Sequence, residues 1–236
     1  MLAPKKEFIP YILLSYPRSG NHWLRYIVEW FSSRPTLGDK EGEHPNDIIN
    51  DVDIPIYKRV SIPHVNPHIS PIAKKRHFIN AWDDKNAKVV LVIRNYKECI
   101  VRHMYLGDHT NYDIDNEVVK SSIQNYCSIL SCFDNWGSDK VYFYYEDLLL
   151  ISKSFDKTLK KLLVFLDCYD ELMYKEFLHK KEFHKKNSMA SLISKTATNG
   201  DSVLFHSNNL TDIQKWVSHI DINYPILKEK YLISYE

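Results

Sequence analysis

Two arginines that follow short apolar segments are the residues of this sequence best suited to binding an anion. Arg18 lies in a polar turn after Ile12-Leu13-Leu14, and Arg94 directly follows the apolar run 89–93. A guanidinium keeps its charge at neutral pH and presents a fork of N–H donors that fits phosphate or sulfate oxygens. The pattern predicts an anion site that uses both turns.

The segment 11–31 is typical of a strand, a tight turn and an amphipathic helix. Pro17 and Gly20 end the strand. The residues with helical spacing are Trp23, Ile27, Trp30 and Phe31. The free N–H groups and the dipole of a helix that starts after such a turn favour an anion, phosphate above all. The simpler interpretation is an ordinary turn with an arginine on the surface.

A nucleotide-hydrolysing phosphate loop is a poor match for this turn. The Walker A pattern needs a first Gly and ends in Gly-Lys-Ser/Thr, whose hydroxyl binds magnesium. Here Ser15 stands at the first Gly, and Asn21 and His22 replace the Lys and the hydroxyl residue. The sequence therefore argues against hydrolysis of ATP or GTP.

The order of apolar segments predicts an α/β fold. The run Lys88–Ile93 is β-branched and uninterrupted, as in a central parallel strand, and 140–145 is a further strand candidate after a helix near 115–136. Alternating strands and helices indicate a three-layer α/β/α domain with a central parallel sheet. In such sheets binding residues gather beyond the carboxyl ends of the strands, where both arginines fall.

The segments between the two arginines are harder to assign. We expect a short strand within 54–62 and a modest helix at 72–82. Between them, Pro63, Pro67 and Pro71 exclude a regular element and hold His64 and His68 on a stiffened loop.

Composition limits the class of protein. A length of 236 residues, 44% hydrophobic and 26% charged, predicts one soluble globular domain over 1–236. The formal net charge of +1 gives no general attraction to nucleic acid or to an anionic membrane. The four cysteines have no Cys-x-x-Cys spacing, which favours free thiols and no metal site. Without a signal-peptide or membrane-span pattern, we expect a cytoplasmic location.

Three segments resemble the motifs of the sulfotransferases. The segment 15–23, Ser-Tyr-Pro-Arg-Ser-Gly-Asn-His-Trp, is similar to that family's 5′-phosphosulfate loop. The segment 89–98 resembles its 3′-phosphate strand and turn, and 144–148, Tyr-Tyr-Glu-Asp-Leu, its Tyr-Glu-Asp segment. The resemblance implies a P-loop-like fold and transfer of a sulfuryl group from 3′-phosphoadenosine 5′-phosphosulfate (PAPS). The acceptor would be a hydroxyl or amine of a small molecule or glycan, and no metal is required.

The resemblance also implies roles for individual residues. Arg18 would bridge the 5′-phosphate and the departing sulfuryl group, Arg94 would bind the 3′-phosphate, and Tyr145 would lie near the adenine. Arg102 stands where the family commonly has a 3′-phosphate serine and would add a contact. The segment expected to hold the 5′-phosphate through its backbone comprises Arg18, Ser19, Gly20, Asn21, His22 and Trp23.

A neutral hydroxyl acceptor also needs a base, and histidine is the side chain best tuned for that task. In the cytosolic sulfotransferases the base lies in a Lys-Thr-His segment between the two phosphate motifs. We place the corresponding region at 60–64 and expect His64 to be the base, with His68 and His22 as alternatives. Arg18 keeps its proton and would act electrostatically.

Two other functions stay open. A nucleotide-binding or scaffolding protein of the same fold without activity is one, because the family's late Arg-Lys-Gly-x-x-Gly-Asp segment survives only partly, at 195–201. A P-loop kinase for a small molecule is less favoured, because Asn21 and His22 replace its key residues. The basic pairs at 180–181 and 185–186 fit a solvated helix face better than a nucleic-acid site.

Overall fold

The computed structural model describes residues 8–38, 56–58, 60, 62–77, 85–96, 99, 103 and 116–187. The strands are β1 (Tyr11–Ser15), β2 (Thr36–Leu37), β3 (Ala73–Arg76), β4 (Lys88–Ile93) and β5 (Lys140–Tyr144). The α-helices are α1 (Asn21–Ser32), α2 (Asn116–Asp134), α3 (Phe155–Phe165), α4 (Glu171–His179) and α5 (Lys181–Asn187). Single 3₁₀ turns lie at Ile56–Lys58 and Tyr145–Leu148.

The five strands form one parallel sheet in the order β2-β3-β1-β4-β5. The central strand β1 pairs with β3 on one side and β4 on the other, so that Tyr11 faces both Ala73 and Lys88. In a parallel sheet all carboxyl ends lie at the same edge, and the segments after β1, β3, β4 and β5 therefore meet there.

Helices cover both faces of the sheet, which confirms the predicted three-layer α/β fold. Because side chains alternate along a strand, Leu13 and Val90 pack with α1, α3 and α4, whereas Leu14 and Leu91 pack with α2 on the other face. All five residues of β1 are buried, as the apolar run predicts for a central strand.

Two of the sequence predictions between the arginines are wrong. The helix expected at 72–82 is the strand β3 over Ala73–Arg76, and its last part, 78–82, lies outside the described residues. Three consecutive cationic residues give no strand pattern, yet pairing with β1 and β2 satisfies their backbone. The described part of the strand expected within 54–62 includes the 3₁₀ turn Ile56–Lys58. The loop over 63–71 is irregular, as predicted.

A fully buried pair of charges holds α1 to its neighbours. The Arg25 guanidinium donates from Nε to Thr36 Oγ1 at 2.8 Å and from Nη2 to the Thr36 carbonyl at 3.2 Å. The Glu29 carboxylate accepts from the backbone N–H groups of Thr36 and Ile56 at 3.0 Å, and from that of Tyr57 at 2.7 Å. Burial raises the pKa of Glu29, while the Thr36 hydroxyl, the Ile56 N–H and Arg25 oppose that rise. These bonds fix the 3₁₀ turn on the helix.

The imidazole of His184 on α5 is fully buried among aromatic rings. It stacks on Phe177 at a centroid distance of 3.8 Å and meets Trp30 edge-on at 4.5 Å. A hydrogen bond of 2.9 Å joins its Nδ1 to the Tyr26 hydroxyl, whereas Nε2 has no hydrogen-bond partner among the described residues. Burial lowers the pKa of His184 to about 4; Lys180 adds to this effect and Glu176 opposes it.

This buried imidazole predicts sensitivity to acid. Because the unfolded chain has a histidine pKa of about 6.5, it binds more protons than the folded chain between pH 6.5 and 4. We therefore expect the free energy of unfolding to fall by about 2 kcal/mol between pH 7 and pH 5 through this group. Urea unfolding at both pH values tests this. The difference in unfolding free energy between pH 7 and pH 5 should shrink by that amount in His184→Phe. It should persist in His179→Asn, a change at the exposed end of α4. Equal pH dependence in all three proteins would contradict it.

Candidate functional site

The loop between β1 and α1, residues 16–20, is closed by a backbone bond and followed at once by the helix. The Ser19 N–H donates to the Tyr16 carbonyl at 3.2 Å, and the Leu24 N–H donates to the Gly20 carbonyl at 3.1 Å. Gly20 is the N-cap of α1, and glycine has no side chain with which to cap the helix. Because α1 begins beyond the carboxyl end of β1, its first-turn N–H groups point toward that edge of the sheet, as an anion site requires.

Gly20 is required at its position by both conformation and space. Its φ of 88° lies in the left-handed region, and an added Cβ would stand 2.1 Å from Cδ2 of Tyr145. Tyr145 begins the 3₁₀ turn after β5, so the end of that strand lies directly against the loop. Any residue larger than glycine would have to displace this ring.

Arg94 connects the end of β4 to the same loop. Its Nη1 donates to the carbonyl oxygen of Arg18 at 3.1 Å. Its Cζ lies 4.4 Å from the centroid of the Tyr145 ring, a cation–π distance. Residues from the ends of β1, β4 and β5 thus come together, and the structure brings Arg18, Gly20, Arg94 and Tyr145 into one place.

The side chains of Ser19, Asn21 and Trp23 point into the fold. Ser19 Oγ lies 3.3 Å from the buried Cys99 Sγ, and the Asn21 amide donates to Ser15 Oγ at 2.9 Å. The Trp23 indole N–H donates to the carbonyl oxygen of Leu148 at 2.6 Å. These side chains hold the loop in shape, and contacts from Asn21 and Trp23 to a ligand would come from their backbone.

Of two further residues expected at the site, the structure describes His22 and does not describe Arg102. His22 is the second residue of α1 and is partly exposed at the same end of the helix. Arg102 lies outside the described residues, as does the late segment 195–201.

His64, expected to be the base, lies at the other end of α1. Its Nε2 donates to the Trp30 carbonyl oxygen at 2.6 Å, and its ring meets the Trp30 ring edge-on at 4.6 Å. Trp30 follows Asn21 by nine residues, which is about 13 Å along a helix. His68 is exposed on the proline-rich loop. The structure does not bring either histidine to the β1–α1 loop.

His77 lies at the loop instead, and it is not among the histidines that the sequence predicts to act as the base. It follows the last residue of β3, and its Nδ1 is 2.7 Å from the carbonyl oxygen of Ser15. A carbonyl only accepts, so Nδ1 carries the hydrogen and Nε2 is the unprotonated nitrogen of the neutral ring. Lys75-Arg76-His77 keeps the Lys-x-His spacing of the family's Lys-Thr-His segment. That spacing is the sequence signal that could have identified His77. The helix predicted at 72–82 includes these residues and so gave no reason to place His77 at the end of a strand.

His103 is a second histidine near Arg18, and it too is absent from the site residues predicted from the sequence. Its ring meets Tyr16 edge-on at 5.6 Å. Burial lowers the pKa of His103, and the positive charge of Arg18 lowers it further. The imidazole is therefore neutral at pH 7 and able to accept or donate a hydrogen bond beside the loop.

Neither a cluster of metal-ligand side chains nor a membrane-spanning helix is present among the described residues. There, no three or more histidine, cysteine, aspartate or glutamate side chains are grouped as a metal ion would require. Among the same residues, no helix combines the length and the apolar character of a membrane span.

The chain is similar to known proteins in sequence and in fold. The chain is similar to Sulfotransferase 1E1 of Bos taurus, with 25% identity over 256 residues, 95% of this chain and 81% of the relative. A crystal structure of retinol dehydratase in a complex with retinol and PAP aligns with a TM-score of 0.52 and 13% identity, over 90% of this chain and 82% of that one. The sulfotransferase domain from the curacin biosynthetic pathway aligns with a TM-score of 0.49 and 17% identity, over 92% of this chain and 99% of that one. No family model matches the chain.

The contact between Gly20 and Tyr145 predicts a pair of coupled substitutions. In Gly20→Ala the left-handed φ costs about 1–2 kcal/mol, and displacement of the ring adds to that loss. In a Tyr145→Ala background the steric part vanishes, so Gly20→Ala should cost only the backbone share. Urea unfolding of the two single variants and the double variant measures the coupling.

Gly137→Ala is the control, because an added Cβ there meets nothing within 4 Å. Additive losses from the two single substitutions at Gly20 and Tyr145 would contradict the predicted contact.

Proposed function

We propose that this protein moves a sulfuryl group from PAPS to a hydroxyl or amine acceptor. The sequence match to a sulfotransferase and the fold support this proposal. The observation that carries the proposal is the meeting of two arginines at one loop, with Arg94 donating to the Arg18 carbonyl where α1 begins. Such a place offers backbone N–H donors, a helix dipole and guanidinium groups to an anion.

The donor would bind across the carboxyl edge of the sheet. The backbone N–H groups of residues 20–23 would hold the 5′-phosphate, because the Ser19 N–H already donates to the Tyr16 carbonyl oxygen. Arg94 would bind the 3′-phosphate. Tyr145, which already contacts Gly20 and Arg94, would lie beside the adenine. The PAP in the retinol dehydratase complex supports a donor of this nucleotide class. The expected contact from Arg102 stays a prediction, because that residue lies outside the described part of the chain.

Arg18 would stabilise the charge that develops during transfer. In an in-line displacement the bond from sulfur to the bridging oxygen breaks while a bond to the acceptor oxygen forms, and negative charge grows on the bridging oxygen. A fixed cation there lowers the barrier more than it lowers the energy of the bound donor. Because arginine does not lose its proton near neutral pH, Arg18 acts through its charge.

We assign the base to His77 in place of His64. The bond from Nδ1–H to the Ser15 carbonyl sets the tautomer, and Nε2 then takes the proton that the acceptor hydroxyl loses as the new sulfur–oxygen bond forms. His64 uses its Nε2–H on Trp30 at the far end of α1. The acceptor is a small molecule or glycan whose pocket would adjoin His77 and the loop.

Ligand-dependent stability tests the proposed function directly. We expect adenosine 3′,5′-bisphosphate to raise the melting temperature, because a ligand at a hundredfold excess over its Kd stabilises the native state by about 2.7 kcal/mol. Thermal unfolding with this nucleotide is compared with unfolding in ATP and magnesium. No stabilisation by the bisphosphate, or stabilisation by ATP and magnesium alone, would overturn the proposal. Binding without turnover of PAPS over a panel of phenols, alcohols and amines would indicate an inactive nucleotide-binding protein.

Matched histidine variants test the assignment of the base. His77→Asn keeps an amide N–H donor near the position of Nδ1 for the Ser15 carbonyl but removes the base, so kcat should fall by about 10²–10⁴-fold. His64→Gln keeps a donor for the Trp30 carbonyl, and its kcat should stay close to that of the unaltered protein. Initial rates with PAPS and a reactive phenol measure both. A loss of kcat in His64→Gln alone would restore His64 as the base.

A further inference from the structure

We infer that Arg94 is a positioning residue for Arg18, in addition to the phosphate contact proposed above. Its guanidinium holds the peptide of Arg18 in an unfavourable conformation and so couples recognition of the 3′-phosphate to the end of the donor where transfer takes place. This inference rests on the proposed function and deepens it, because it assigns to one side chain the coupling between two parts of the same site.

The backbone of Arg18 needs such support. Its φ of 69° lies in the left-handed region, which is rare for a residue other than glycine. That conformation costs about 1–2 kcal/mol in an L-residue and persists only where surrounding contacts enforce it. One contact at this peptide is the bond of 3.1 Å from Arg94 Nη1 to the Arg18 carbonyl oxygen. Loss of this bond would remove support for the left-handed conformation and favour relaxation of the loop toward a commoner one.

Arg94 is itself held firmly enough to enforce that conformation. The Tyr126 hydroxyl on α2 donates to the Arg94 carbonyl oxygen at 2.8 Å. The guanidinium lies 4.4 Å from the centre of the Tyr145 ring, and the same ring packs against Gly20, two residues after Arg18. The ring therefore supports Arg94 from one side and the loop from the other. Arg94 and Tyr145 follow β4 and β5, which pair with each other in the sheet.

One side chain is able to serve both purposes because a guanidinium carries five N–H donors in a rigid fork. The bond to the Arg18 carbonyl uses one donor on Nη1. A phosphate bound by the same group would fix the fork in place and with it the Arg18 peptide. A lysine at this position would keep the positive charge and lose the fork.

A donor that lacks the 3′-phosphate separates this role from phosphate binding. Adenosine 5′-phosphosulfate carries the same sulfuryl end as PAPS without the 3′-phosphate. If Arg94 only binds that phosphate, Arg94→Ala weakens PAPS and leaves adenosine 5′-phosphosulfate unchanged. If Arg94 also holds the loop, both ligands bind more weakly. We expect adenosine 5′-phosphosulfate to lose about tenfold in affinity, which corresponds to about 1.4 kcal/mol.

The experiment is isothermal titration of both ligands, without acceptor, into the unaltered protein, Arg94→Ala and Arg94→Lys, each first checked for a cooperative unfolding transition. Lysine separates loss of charge from loss of the fork and provides a second variant if the alanine variant does not fold. We expect weaker binding of adenosine 5′-phosphosulfate in Arg94→Lys as well.

The possible failures are distinguishable. Binding of adenosine 5′-phosphosulfate within twofold of the unaltered protein in a folded Arg94 variant overturns the positioning role and leaves the proposed function intact. If the unaltered protein binds neither ligand, the proposed function and this inference are both wrong. If affinity for adenosine 5′-phosphosulfate is fully restored by lysine, the effect comes from charge alone, and the positioning role is again overturned.

Discussion

The parallel pairing of β1 between β3 and β4 is the constraint on which the candidate site depends. Parallel strands have all their carboxyl ends at one edge, and each segment that leaves a strand must turn there. The loop after β1, His77 after β3, Arg94 after β4 and Tyr145 after β5 therefore meet although they are far apart in the sequence. Burial of both faces of the sheet under helices makes this edge a rigid support.

The site combines locally unfavourable elements with contacts that stabilise them. Arg18 and Gly20 both have positive φ, and the close approach of Tyr145 leaves no room for a side chain at Gly20. The contact from Arg94 and the inward hydrogen bonds of Asn21 and Trp23 offset that cost. A loop of this kind presents N–H groups and positive charge in fixed positions. An anion then binds with little reorganisation, which is the property that favours electrostatic stabilisation of a developing charge.

The histidines illustrate how far a sequence pattern reaches. His64 and His77 both lie between the two arginine segments, and each has a carbonyl oxygen as its hydrogen-bond partner. The two histidines differ in where the fold places them. His77 follows a strand that pairs with β1, whereas His64 packs on the last turn of α1. The strand β3 could not be recognised from Ala-Lys-Lys-Arg, because its cationic residues carry no alternation of apolar and polar side chains and its pairing is entirely non-local.

Local sequence signals are sufficient to predict the α/β class, the strands β1, β4 and β5, and the positions of Arg18 and Arg94 after strands. Those features follow from local signals: uninterrupted apolar runs, turn residues and helical spacing over short distances. Three features are visible only in the folded chain: β3 is a strand, His77 lies at the loop, and Tyr145 lies between Gly20 and Arg94. Each of these depends on hydrogen bonds and packing between segments distant in the chain, which no window of neighbouring residues encodes.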